Sequence, residues 1–292
     1  ALLLLFVPGM GWGIAGAAWA TIFTQSLTVI GMILWLNRKH PVIKITFRKF
    51  NFDMDIFRNS IRIGLPNGAQ QAMVAVGMMA LLGIVNRFSG MNSNVLVAYA
   101  IVNRIDSLAC APAMTFSIAI AAFVGQNTGA QKFNRIPSGL NATLAMSAML
   151  TIVISVVVMI FAHPLMTLFS TEINTDVIFI GARYLLIVCP FCVVFSTMFI
   201  YTGVMRGAGD TLVPMFITLL SLWLVRIPVA SFLSGFIGPD GIWWSIPAAW
   251  TVGVAFAFLY YRSGRWKNKG VIKSAADAPS SYSASVAEKT AM

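Results

Sequence analysis

Charge is what this sequence has least of, and acid above all. Of 292 residues, 10% are charged, nine are Asp or Glu and two are His. Soluble domains carry about 25% charged residues, so a conventional water-facing surface is excluded. Cysteine is scarce too, and three residues do not make a disulfide framework. Cys189-Pro190-Phe191-Cys192 has the spacing of a redox motif, yet it lies in an apolar run with no βαβ context and reads as coincidence. His40 and His163 are far apart in connecting segments, and no group of His, Cys, Asp and Glu has metal-ligand spacing. No metal site is therefore expected, and no Ser–His–Asp arrangement can be assembled. The glycine-rich stretches at Gly125–Ala130 and Arg206–Thr211 lack the phosphate-loop pattern, and no strand precedes either. Neither enzymatic activity nor a cofactor is expected.

What the chain has is apolar length, with 58% hydrophobic residues. Seven stretches, 12–36, 65–86, 95–124, 138–162, 177–203, 212–235 and 241–261, reach or exceed the roughly 20 residues a helix needs to cross a bilayer core. Backbone polar groups in lipid must be satisfied within the structure, so spans are helices or a closed barrel. Barrel strands alternate over about 10 residues, and these runs are uniformly apolar. The expected class is an all-α membrane protein with seven transmembrane helices.

The net charge of +11 is distributed by side. Lys and Arg gather in the 37–63 connection (Arg38, Lys39, Lys44, Arg48, Lys49, Arg58, Arg62), at Lys132 and Arg135, beside Arg206, and after Arg262. The alternate connections hold Arg87 alone or nothing basic. That is the positive-inside pattern rather than a nucleic-acid surface, and it places the C-terminal tail in the cytoplasm. Met54, Phe57 and Ile61 recur at helical spacing, so an amphipathic surface helix and a solvated linker are equal readings of 53–63. Residues 265–292 read as a cytoplasmic, disordered tail, rich in Ser and Ala from 270 on. The chain lacks an initiator Met, and residues 1–7 resemble the end of an earlier span, so a fragment is expected.

A faint internal repeat supports this. Gly13-Ile14 with Ala20 matches Gly241-Ile242 with Ala248, and both helices end in basic residues. Parallel repeats of matching orientation mark two-lobed transporters. Pro112, Pro190, Pro228 and Pro247 fall inside spans, where each removes a backbone hydrogen bond and can bend its helix.

Asp106 is the one acid deep within a span, about 17 Å along its helix at 1.5 Å per residue. A carboxylate there costs at least ~2.5 kcal/mol by insertion scales. Tyr99, Asn103, Asp106 and Cys110 form one polar stripe, expected to face the protein interior or a water-filled cavity. Desolvation disfavours a charged carboxyl, which suits proton exchange. Two readings stand: a coupling or substrate role, and a structural ion pair with Arg104 or, better on depth, Arg226. Gln70, Gln71 and Asn67 are candidate pocket amides or interhelical glue. Met73, Met78, Met79, Met114 and Phe116 suit either a pliable cavity or ordinary packing. Gly125, Gln126, Gly209 and their neighbours are read as helix ends and tight turns, with Arg206 and Asp210 forming a local pair.

Several motifs in order carry a resemblance: Ile63-Gly64-Leu65-Pro66; Arg104-Ile105-Asp106-Ser107-Leu108 followed by Pro112; Val124-Gly125-Gln126-Asn127-x-Gly129-Ala130; Gly203 through Thr211; Arg226-Ile227-Pro228; and Gly241-Ile242-Trp243-Trp244. Over residues 8–270 the chain resembles the multidrug and toxic compound extrusion (MATE) family. The resemblance implies a twelve-helix fold of two six-helix lobes. Residues 1–36 would then be a remnant of the N-terminal lobe, 37–63 the inter-lobe linker, and 64–264 the complete C-terminal lobe. It also implies drug/cation antiport by alternating access, driven by inward flow of H+ or Na+. The implied setting is the plasma (inner) membrane, with small cationic amphipathic drugs as substrates, membrane lipid as surroundings, and a monomer when full length. Some sodium-coupled members carry acids on the first and fourth helices of the second lobe, whereas 65–86 and 177–203 here hold none. One alternative is a lipid-linked oligosaccharide flippase of the same superfamily, which would need Arg104, Arg183 and Arg226 as a cationic cavity. A non-transporting membrane scaffold or receptor is another.

Overall fold

The computed structural model describes residues 5–9, 11–39, 54–89, 94–169 and 174–269, and every regular element among them is helical. Seven helical stretches among these residues are long and apolar enough to cross a membrane. The chain divides into two compact units, residues 1–57 and 58–292.

In the first unit, a short wide turn at Leu5–Gly9 precedes α1 (Gly13–Lys39). The Phe6 ring stacks on Trp12 with centroids 5.5 Å apart. The Phe6 carbonyl lies where a side chain on Gly16 would have to go. Apolar side chains cover nearly all of α1 and stay exposed, as expected of a surface solvated by hydrocarbon.

α2 (Met54–Ser89) runs unbroken through Pro66. The 53–63 stretch, read equally as a surface helix or a solvated linker, is from Met54 onward the start of the same helix, whose membrane-length segment begins at Ser60. Residues 40–53 of the expected linker lie outside the described residues. α3 (Asn94–Gly129) likewise passes through Pro112. A 3₁₀ turn at Phe133–Arg135 leads into α4 (Ile136–Ile160), with Pro137 in its first turn, where a missing N–H costs nothing. The short α5 (Ala162–Phe169) follows a break at Phe161.

The fifth expected span is two helices, α6 (Thr175–Val188) and α7 (Cys192–Gly207), joined by a 3₁₀ turn at Cys189–Phe191 around Pro190. The sixth is α8 (Leu212–Leu219), a π-helical stretch at Leu220–Arg226, and α9 (Ile227–Ile237) carrying Pro228. Proline thus accompanies an irregular backbone at two of its four mid-span positions. α10 (Pro239–Arg262) starts after Gly238, whose φ of +63° suits a residue without Cβ.

The segment after α10 differs from expectation. Arg265–Lys269 forms a 3₁₀ turn, and Trp266 is 1% exposed, stacked on Tyr261 and donating from Nε1 to the Tyr261 carbonyl at 2.9 Å. A tryptophan that finds both an apolar bed and an acceptor is held in place. The disordered tail therefore cannot begin at 265, and residues 270–292 lie outside the described residues.

Two apolar cores hold the second unit. One surrounds Tyr99 and Trp243, near the starts of α3 and α10, and Tyr184, in the second half of α6. The other joins Ile120, Val124, Leu140, Val204, Met205 and Trp266 at the opposite ends of the same bundle. α3 packs along α7 throughout. The approach depends on glycine: a Cβ on Gly203 would lie 2.6 Å from the Ser117 carbonyl oxygen, and one on Gly207 2.3 Å from that of Ala121. Ser117 Oγ crosses the gap to donate to the Phe199 carbonyl at 2.7 Å.

Candidate functional site

The polar stripe on α3 is not uniformly inward. Tyr99 is buried, its ring stacked on Trp243 at 5.7 Å, and Trp243 meets the edge of Tyr184 at 5.0 Å. Asn103, one turn on, is exposed and donates to the Tyr99 carbonyl at 2.7 Å. Asp106 is half-buried, and Cys110, buried, donates its S–H to Asp106 Oδ1 at 3.7 Å. The stripe thus runs along the boundary of the core, leaving the carboxylate partly open.

Neither candidate arginine forms an ion pair with Asp106. Arg104 is exposed. Arg226 is half-buried at the end of the π-helical stretch, its Nη1 is 3.8 Å from Met78 Sδ, and its Nε is buried without a partner. The Arg226 guanidinium and the Tyr184 hydroxyl do lie within electrostatic reach of Asp106. Among the described residues, the recorded ion pair joins Arg183 to Asp240 at 2.6 Å.

The cysteine expectation needs correcting. The turn around Pro190 delivers Cys192 to α3, so that its Sγ, the Cys110 Sγ and a carboxylate oxygen of Asp106 all lie within 4.8 Å of one another. A cluster of potential metal-ligating side chains therefore exists where sequence spacing offered none. Cys110 and Cys192 are distant in sequence, and no periodicity links them. The available signal was that Cys110 and Cys192 occupy apolar runs at comparable depth.

At the opposite end of the bundle the amides separate. Gln70 is 4% exposed, donates to Thr218 Oγ1 at 2.9 Å and accepts from Arg206 Nη2 at 3.3 Å. Its polar atoms tie α2 to α7 and α8. Gln71 and Gln126 are exposed, and Asn67 is half-buried. The expected Arg206–Asp210 pair does not form. Asp210, 4% exposed, instead accepts from the Tyr260 hydroxyl at 2.6 Å and from the Val213 N–H at 3.3 Å. It thereby caps α8 and fastens it to α10, a role that the expected local pair had hidden. Gly209, with φ +90°, makes the tight turn before it. Gly125 does not end a helix, because α3 continues to Gly129; a Cβ there would lie 3.4 Å from the Gly207 carbonyl oxygen. Met73, Met78, Met79 and Met114 are all exposed on the described surface.

The MatE family profile matches residues 66–232. The chain is similar to a probable multidrug resistance protein of Bacillus subtilis (strain 168), YoeA, at 29% identity over 266 residues, covering 89% of this chain and 56% of that protein. It is also similar to a second from the same organism, the probable multidrug resistance protein YpnP, at 31% identity over 266 residues, covering 90% of this chain and 58% of that protein. Among solved structures, it superposes on an outward-facing multidrug resistance MATE family transporter of the MOP superfamily with a TM-score of 0.83 at 20% identity. That overlap covers 91% of this chain and 60% of the other, and at this identity it speaks to the fold alone. The chain thus spans somewhat over half the length of the relatives it matches.

Proposed function

The chain belongs to the MatE family, and from that premise we propose that it works in secondary active efflux of cationic, amphipathic drugs, exchanging them for H+ or Na+. The observation that carries this reading is Asp106. It is an acid deep in a span, left half-buried and unpaired by an arginine. A carboxylate fixed in an ion pair has little free energy left to exchange between a proton and a ligand. One held at the edge of a core, with Arg226 acting on it only through the field, can take up either. Protonation removes the charge that attracts a cationic ligand, so the two are released and bound in alternation. Tyr99, Tyr184 and Trp243 form a rigid aromatic backing beside it. The absence of acids from residues 65–86 and 177–203 favours a proton over the sodium scheme that needs them. The same reading places the protein in the plasma (inner) membrane, with its basic connections and C-terminus cytoplasmic.

The flippase alternative needs converging positive charge. Arg183 is already bound to Asp240, Arg104 is exposed, and Arg226 lies near a carboxylate, an arrangement poorly suited to a diphosphate.

The experiment is dye efflux from proteoliposomes containing the intact protein, under an imposed pH gradient and, separately, a sodium gradient. Asp106→Asn should abolish gradient-driven efflux while membrane insertion and yield stay at wild-type levels. Wild-type efflux by Asp106→Asn would remove this carboxylate from the mechanism.

A further inference from the structure

We propose that Cys110, Cys192 and Asp106 form a binding site, within the membrane-spanning bundle, for a divalent thiophilic metal ion of the Zn2+ and Cd2+ class. The inference does not depend on the direction or driver of transport. Its first support is the convergence of two sulfurs and one carboxylate oxygen within 4.8 Å. A tetrahedral ion with metal–sulfur bonds of about 2.3 Å holds its sulfurs about 3.8 Å apart. Since all three atoms already lie within 4.8 Å of one another, the sulfurs need to close by at most about 1 Å to reach that separation. Two ligands come from adjacent turns of one helix and the third from the first residue of another, so the site ties α3 to α7.

The second support comes from α4. The Ser155 hydroxyl on α4 is buried and lies within hydrogen-bonding reach of the Cys192 sulfur. A tetrahedral ion takes a fourth ligand, and this hydroxyl beside Cys192 is placed to supply it. Cys189 lies beside Cys192 but outside the convergent set, and is a bystander in this arrangement.

Charge selects the ion. Two thiolates and a carboxylate carry three negative charges, and a divalent ion leaves one, which the nearby Arg226 guanidinium balances. A monovalent soft ion would leave the site net negative in a medium that penalises uncompensated charge. Sulfur ligands favour thiophilic ions over Mg2+ and Ca2+, which take oxygen. Binding breaks two S–H bonds and forms two metal–sulfur bonds; both protons leave to water, and nothing is oxidised or reduced. The half-buried Asp106, beside exposed Asn103, supplies the open side through which an ion can arrive.

The test uses the intact protein in nanodiscs. Zn2+ competed against a chromophoric chelator should bind with one tight equivalent and release two protons in weak buffer. Cd2+ should give an ultraviolet thiolate-to-metal charge-transfer band. Cys110→Ser and Cys192→Ser should each remove that band, Ser155→Ala should weaken affinity about 10- to 100-fold, and Cys189→Ser should leave both unchanged. Should the thiol variants fail to fold, Zn2+ protection of Cys110 and Cys192 from alkylation in the wild type, read by mass spectrometry, decides instead. No tight equivalent in the wild type, a band that survives loss of both thiols, a band lost with Cys189, or alkylation unaffected by Zn2+ would each overturn the assignment.

Discussion

Gly207→Ala is the sharpest test of how this bundle is held together. The added methyl would lie 2.3 Å from the Ala121 carbonyl oxygen and 2.9 Å from both Ala121 Cα and Val124 Cβ. Two of those three atoms are α3 backbone, so no rotamer change relieves the clash, and the two helices must move apart. One turn earlier, Gly203 permits the same approach beside Ser117, whose hydroxyl bond to the Phe199 carbonyl is 2.7 Å long. Separation at 207 therefore strains that bond as well. Overpacking of this kind costs about 1–3 kcal/mol, roughly 5- to 150-fold in the ratio of folded to unfolded protein. The comparison is Gly235→Ala, where a Cβ meets nothing within 4 Å. A Gly-to-Ala change there, in the last turn of α9, should stabilise by up to about 0.5–1 kcal/mol. Thermal unfolding of both variants in the same detergent reads the difference. If Gly207→Ala melts at or above wild type, close backbone contact between α3 and α7 is not what orders the bundle.

Tyr260→Phe should cost about 1.5–3 kcal/mol, because it strips buried Asp210 of a 2.6 Å hydroxyl donor. Denaturant unfolding should also show the Tyr260→Phe/Asp210→Asn double variant losing less than the two single losses combined. Trp266→Ala should destabilise by about 3–5 kcal/mol, the usual range for emptying a buried aromatic site; a chain ending at Arg262 should show a comparable loss, whereas a disordered tail would make both changes silent.

The seven spans were legible because hydrocarbon thickness imposes a length that composition alone reveals. Their ends were less so. Hydropathy stops where polar residues begin, but the helix does not: α2 starts at Met54 and α3 continues to Gly129, since backbone hydrogen bonding continues past the apolar run. Asp106 stood out because a lone acid in an apolar run is expensive wherever it lies. Its surroundings did not, because Cys192, Tyr184 and Arg226 approach from other helices and sequence periodicity records only neighbours on the same one. Arg206 and Asp210 show the converse error. Four residues apart and oppositely charged, they invited a local pair, yet each bonds across the bundle, to Gln70 and Tyr260.

The irregular backbone and the site are connected. Helical regularity fails at Cys189–Phe191 and at Leu220–Arg226, and the first residue after one break is Cys192, while the last residue of the other is Arg226. A 3₁₀ turn of three residues completes about 360°, against about 300° for three α-helical residues. By that ideal geometry the turn shifts Cys192 by about 60° relative to an unbroken helix, and its sulfur lies within 4.8 Å of the Cys110 sulfur and an Asp106 oxygen. The π-helical stretch widens its own helix immediately before Arg226, whose charge then reaches the same carboxylate. Irregular backbone at membrane depth is tolerated only where protein or a cavity satisfies it. Two such breaks, one beside Pro190 and one before Pro228, both deliver a functional group to Asp106. That convergence is what the proposed site centred on the carboxylate requires.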